Sequence, residues 1–185
     1  MVKHIPKSGR QRTLFLVLLS QLGVLMFVLK MVMAGLPNIE PVSLLVMVYA
    51  VTLGPWALAP IYVYVMLEWA IWGLNTWSIC YIYIWALFWL VSWLLRKMES
   101  TLGWAVLCAV FGLFFGVLCA IVYVFIGGWA YAAAWWVSGI PFDAIHCAGN
   151  FVMALVLFAP LRDLLNKLLK KAGLTNPTGT VKKHE

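Results

Sequence analysis

The chain cannot bury its apolar residues inside a soluble domain, because they arrive in long runs from which charge is almost absent. Residues 13–33, 42–53, 56–71, 79–95, 101–125 and 144–160 are apolar stretches, and the charges, Lys30 and Glu68 excepted, lie between and beyond them. The whole chain is 65% hydrophobic and 10% charged, where a soluble domain carries about 25% charge. A bilayer core takes about 20 residues of helix, so the pattern predicts an all-α membrane protein of six transmembrane helices. Six crossings consume most of the 185 residues. The expected organisation is a basic N-terminal segment over 1–12, a six-helix domain over 13–161 and a basic tail over 162–185.

The basic residues orient the bundle. With alternating crossings and the N-terminus inside, Lys3, Lys7, Arg10, Arg12, Arg96, Lys97, Arg162, Lys167, Lys170, Lys171, Lys182 and Lys183 all fall on one side, and only Lys30 does not. Cytoplasmic loops retain Lys and Arg, so both termini are expected in the cytoplasm, with the protein in the cell membrane. The net charge of +7 suits anionic inner-leaflet lipid. No nucleic-acid recognition fold accompanies it, and nucleic acid is not an expected partner. The opening run, 13–29, is longer than a secretory signal's apolar core and is followed by Lys30, so it reads as a retained helix.

Turn signals place the ends. Pro37 should stop the first helix, Gly54-Pro55 reads as a tight inner turn, and residues 126–141 read as a long outer connection, part of which can be helical. Pro141 suits the first turn of the sixth helix. The segment 162–172 is amphipathic, either continuing that helix or lying along the inner surface, and 173–185 reads as disordered. No internal repeat is visible. Cys80, Cys108, Cys119 and Cys147 sit in separate segments without a C-x-x-C pair, and read as packing residues, neither a disulfide framework nor a metal site.

Polar groups inside a membrane are costly and need a reason. Lys30 and Glu68 fall near the outer ends of their segments. Asp143, His146 and Asn150 stand at i, i+3 and i+7, on one face of the sixth helix. Around that outer level lie Asn75, Trp77, Tyr81, Tyr123, Trp129, Tyr131, Trp135 and Trp136. An aromatic cavity with a few convergent polar groups describes a small-molecule site. Plainer readings stand beside it. Asp143 can complement a helix dipole, Lys30 can snorkel, Glu68 can pair with Lys30, His146 can be a packing residue, and the aromatics can form an interfacial belt. Gly112-x-x-x-Gly116 permits close helix approach, within the bundle or with a partner. No G-x-S-x-G element, phosphate loop or second intramembrane histidine is present, so the chain does not read as an enzyme. ATP hydrolysis, if transport uses it, belongs to another chain.

Several stretches are similar to a known family. Pro37-Asn38-Ile39-Glu40-Pro41-Val42-Ser43-Leu44, Tyr62-Val63-Tyr64-Val65-Met66-Leu67-Glu68 and Tyr81-Ile82-Tyr83-Ile84-Trp85 resemble an S component of the energy-coupling factor (ECF) vitamin transporters. So do Phe125-Ile126-Gly127-Gly128 and, most specifically, Gly139-Ile140-Pro141-Phe142-Asp143-Ala144-Ile145-His146 with Asn150-Phe151. The resemblance covers 13–161. It implies a six-helix subunit that captures a vitamin at the outer face and docks on a membrane-coupling subunit with two ATPase subunits. Substrate contacts are then expected from Asp143, His146, Asn150, Tyr81, Trp135, Trp136, Trp129, Tyr131, Asn75, Glu68 and Lys30. Family members often carry an Ala-x-x-x-Ala motif on helix 1 for docking. This chain departs from it, offering Ser20 and Gly23 there and Gly112 and Gly116 elsewhere. The branch most resembled is cobalamin-specific, and riboflavin, folate, pantothenate or a pyrimidine precursor are alternatives. With cobalamin, His146 or Cys147 is a candidate cobalt ligand. No intrinsic cofactor or metal is expected. The competing class is a non-transport membrane assembly subunit.

Overall fold

The computed structural model describes residues 8–36 and 38–174. The expected stop at Pro37, the basic residues Lys3, Lys7, Lys182 and Lys183, and the end of the tail from 175 lie outside them. The described residues are helical, without strands: α1 Gly9–Val32, α2 Val42–Leu53, a 3₁₀ turn Gly54–Ala57, α3 Leu58–Trp72, the short α4 Thr76–Ile79, α5 Tyr81–Leu94, α6 Thr101–Leu113 and α7 Phe115–Lys171. Four helical stretches, Gly9–Val32, Val42–Trp72, Thr76–Leu94 and Thr101–Lys171, are long and apolar enough to cross a membrane. Four is fewer than the six expected, because two of the stretches each join a pair of the predicted segments.

The α2–α3 stretch changes direction at Gly54, whose φ of 63° and ψ of −130° suit a residue without Cβ. α2 has 12 residues and is roughly 18 Å long, too short to cross a bilayer core alone. It survives by being enclosed. Every α2 residue except Val51 is buried. Its Tyr49 hydroxyl donates to the Leu22 carbonyl of α1 at 3.2 Å. α3 then runs parallel to α1. Phe15 meets Trp56 near one end (5.8 Å between rings), and Lys30 meets Glu68 near the other (2.8 Å). Between them Gly23 lies so close to Val63 and the Pro60 carbonyl that a Cβ would sit about 2.6–2.7 Å from them.

The Thr101–Lys171 stretch is a helical hairpin. Gly128, at φ 78° and ψ −178°, is non-helical and reverses the chain between arms 101–127 and 129–171. Pairs along the arms fix their register. Trp104 stacks on Phe158 at 4.7 Å, the Asn150 amide donates to the Cys108 carbonyl at 3.1 Å, and Tyr123 stacks on Trp135 at 4.2 Å. Residues 126–141 are therefore not a long loop. Past Gly128 they are helix, as the Ala-rich run 129–134 favours. Nor does Pro141 begin a helix: both Pro141 and Pro160 lie inside α7. The tail also joins the bundle. α7 continues to Lys171, and Leu165 and Leu169 are buried in the core.

The core is aromatic. Trp85 packs against Tyr64, Phe111 and Phe115 with ring centroids 5.7–6.0 Å apart. The thiols of Cys80 and Cys119 touch at 3.2 Å, tying the start of α5 to the first hairpin arm. Outward faces of α1 carry Leu14, Leu16, Val17, Val24 and Val28, all exposed, a surface suited to lipid. Arg10 and Arg12 open α1, Arg96 follows α5, and Arg162 lies in the last third of α7. Gly173 at the foot of α7 approaches the Gln11 side chain, so the foot of α7 lies with the start of α1. At the opposite end of α1 lies the polar cluster.

Candidate functional site

Lys30 closes α1 as its last-turn basic residue and is only partly exposed. Its ammonium bonds Glu68 Oε2 of α3 at 2.8 Å and stands 4.0 Å from Glu40 Oε2 on the α1–α2 connection. It also donates to the Tyr81 hydroxyl of α5 at 3.3 Å, and lies 5.2 Å from that ring's centre. The Trp77 indole donates to the same hydroxyl at 3.2 Å. One cation thus serves two carboxylates, and Glu68 Oε1 is buried without a hydrogen-bond partner. Burial pushes the Glu40 carboxyl above its ordinary range; Lys30 opposes that rise and Glu68 adds to it.

These groups line a cavity of about 480 Å³ with Asn75, Phe115, Trp72 and His146 among its walls. Its floor is positioned by the turn between α3 and α5. Gly73 (φ 75°) ends α3, and Asn75 caps α4: its Oδ1 accepts the Ser78 amide at 3.0 Å while Ser78 Oγ accepts the Asn75 amide at 3.0 Å. This reciprocal cap aims Trp77 and Tyr81 toward Lys30. His146 reaches the cavity from the second hairpin arm. Its ring meets Phe115 edge-on at 5.0 Å, and its Nε2 is buried without a partner.

Asn38 and Trp77 are shared with a second cavity of about 370 Å³, walled also by Trp135, Phe142 and Asp143. Asp143 has a clear structural task. The helix breaks at Phe114 and restarts at Phe115, leaving the Gly116 amide in a first turn where no carbonyl four residues back serves it. Asp143 Oδ1 accepts that amide at 3.0 Å across the hairpin. Its Oδ2 is buried and unpartnered.

Of the residues expected at a substrate site, Lys30, Glu68, Asn75, Tyr81 and His146 line the first cavity, and Trp135 and Asp143 the second. The others do not join them. Asn150 shares the face of Asp143 and His146, yet seven residues place it roughly 10 Å farther along the axis, where its amide locks onto Cys108. Trp129 and Trp136 line a separate apolar cleft of about 230 Å³ on the hairpin. Tyr131 packs beside Tyr123 (6.0 Å) and Gly127 near the reversal. Cys147 lies outside both cavities, so of the two candidate cobalt ligands only His146 faces one. Among the expected docking residues, Gly23, Gly112 and Gly116 are filled from within: by Val63, by the His146–Cys147 backbone and by the Asp143 carboxylate. Only Ser20 is exposed, in a shallow groove with Leu16, Val17, Gln21 and Val24.

Glu40 stands in the sequence only within the 37–44 stretch, with no role of its own. Its signal was its rarity, as one of six acidic residues in the chain. Phe115 and Trp72 carry no signal that separates them from other packing aromatics.

No family model matches the chain, and neither the curated proteins nor the solved structures contain a significant match.

Proposed function

We propose that this chain is the substrate-capturing membrane subunit of an ECF-type vitamin importer, held in the cell membrane by six crossings with both termini cytoplasmic. The observation that carries the reading is convergence. Lys30, Glu68, Tyr81 and His146 come from four different helices, and together with Glu40 of a connecting segment they wall one cavity beside aromatic rings. Buried polar atoms without partners, such as Glu68 Oε1 and His146 Nε2, cost free energy in the unliganded protein. A ligand that bonds them recovers that cost. The position of the cavity, at the end of α1 remote from Arg10 and Arg12, suits capture from outside.

Cavities of about 480 and 370 Å³ fall within the usual 300–1,000 Å³ of small-molecule sites. That size favours a smaller vitamin, or a precursor of one, over cobalamin with its corrin and nucleotide loop. His146 would be the cobalt-facing residue if a corrin were bound at the mouth. The coupling subunit and the two ATPases would supply energy, and the chain itself would perform no chemistry. The bonds of Asn150 to Cys108 and of Asp143 to Gly116 favour the competing reading, a membrane assembly subunit, for those two residues alone.

The test is purification of the tagged chain from its native membranes in mild detergent. A membrane-coupling protein and an ATPase pair should accompany it in fixed stoichiometry and hydrolyse ATP. Recovery of the chain without ATPases, or uphill vitamin uptake by the chain alone in liposomes, would overturn the proposal.

A further inference from the structure

The charge balance of the two cavities points to the kind of ligand they take. We propose that the captured substrate is a small, flat heterocycle bearing amino groups and a positive charge; the inference rests on reading these cavities as the capture site. Three observations carry it.

First, carboxylates outnumber cations. Among the residues walling the two cavities, Glu40, Glu68 and Asp143 face a single basic side chain, Lys30. Lys30 is already committed to Glu68 at 2.8 Å and to the Tyr81 hydroxyl at 3.3 Å. An anionic ligand would meet the carboxylates without a free cation to receive it. A cation would complete the balance.

Second, the unpartnered atoms accept hydrogen bonds. Glu68 is 5% exposed and Asp143 6% exposed, so each is more than nine-tenths buried. Each keeps one oxygen on a partner, Lys30 or the Gly116 amide, and leaves the other with none. A carboxylate oxygen can only accept. One lies at each cavity, so each cavity offers an acceptor to an N–H group of a ligand. His146 is 3% exposed, and its Nε2, also unpartnered, adds a third polar contact on the same wall as Phe115.

Third, the walls are flat. Trp77 is common to both cavities and sits 6.4 Å from Tyr81 and 5.9 Å from Phe115 and from Trp135, measured between ring centres. Ring faces hold a planar ligand by stacking and attract a cation through their quadrupoles. The site uses that attraction already: Lys30 stands 5.2 Å from the centre of Tyr81 and 5.7 Å from that of Tyr64.

The experiment is calorimetric titration of the purified full chain in detergent with three probes: thiamine (a flat aminopyrimidine carrying a cationic thiazolium ring), riboflavin (flat and neutral) and pantothenate (an anion). Thiamine should bind more tightly than the other two by at least tenfold. Asp143→Asn keeps an oxygen for the Gly116 amide and should retain the fold while weakening thiamine binding ten- to a hundredfold, as expected for loss of a charge-assisted contact. Glu68→Gln should do the same, and Asp143→Asn stands alone if that variant fails to fold. Tight binding of riboflavin or pantothenate with none of thiamine would overturn the inference and leave the capture reading intact. Silence from all three probes, or full thiamine affinity in folded Asp143→Asn, would also overturn it. Association with an ATPase pair does not depend on ligand charge, so the co-purification experiment fails or succeeds separately.

Discussion

Replacing Gly112 with alanine should push the hairpin arms apart, and its size can be worked from the structure. A Cβ at Gly112 would lie 2.9 Å from the Cys147 amide nitrogen, 2.9 Å from the His146 carbonyl carbon and 2.9 Å from Asn150 Nδ2. Two of these three are backbone of the facing arm and cannot rotate away. Ordinary carbon contacts begin near 3.5 Å, so the arms must separate by roughly half an ångström or more at their closest point. Overpacking of this kind costs about 1–3 kcal/mol. Strain on the Asn150–Cys108 bond adds up to about 1 kcal/mol, and the better helix propensity of alanine returns up to about 1 kcal/mol. The net expectation is a loss near 2 kcal/mol, or about 4–8 °C in unfolding temperature for a chain of this length. Gly139→Ala is the control. No atom lies within 4 Å of a Cβ built there, so the same substitution on the opposite arm, inside α7, should stabilise by about 0.5–1 kcal/mol. Thermal unfolding in detergent can be followed with a thiol-reactive dye, because Cys108 lies on the first arm and is fully buried. Gly112→Ala unfolding at or above the wild-type temperature would refute the close-packed hairpin. So would equal losses from both variants.

Two further expectations concern the charged cluster. Lys30→Met strands Glu68, whose side chain is 6% exposed, without its cation, and should destabilise by about 3–5 kcal/mol; adding Glu68→Gln should recover part of the loss, and wild-type unfolding of the single variant would show that the pair contributes nothing. Glu40 supplies a pH test. Its folded pKa is raised above the ordinary 4.5 by burial, so its contribution is fully present below that value and is lost as pH rises through the folded value. The stability gap between Glu40→Gln and wild type should therefore open in favour of the variant as pH rises above 4.5; a gap that closes upward in pH would reverse the sign of the argument.

The helices were legible because lipid-scale apolar runs admit little else. The predicted 42–53 segment is α2 residue for residue. The reading failed where local signals are ambiguous. Pro141 marked a helix start by propensity, yet it lies inside α7. A proline within a helix costs a hydrogen bond and a clash, and in an apolar bundle neighbouring segments and side chains absorb part of that cost. One residue, Gly128, is enough to reverse the chain, and Ala-rich sequence on its far side resumes helix at once. Gly127-Gly128 was the turn signal; the later proline spread it over sixteen residues.

Periodicity resolves angle around a helix better than it resolves depth along a bundle, and the site shows the consequence. Asp143, His146 and Asn150 share a face as their spacing required, and all three are buried. Depth separates them, because each residue climbs about 1.5 Å. Asp143 reaches the second cavity, His146 the first, and Asn150 only the opposing backbone. Lys30 and Glu68 could be matched in depth because each lies a countable distance from a helix end, and the structure pairs them. Glu40 could not, since a residue on a connection has no depth until the connection is folded. It is the turn between α1 and α2 that carries this second carboxylate back over Lys30. That step converts what would be a matched pair into a cluster with one carboxyl group to spare, which is the property a cationic ligand would use.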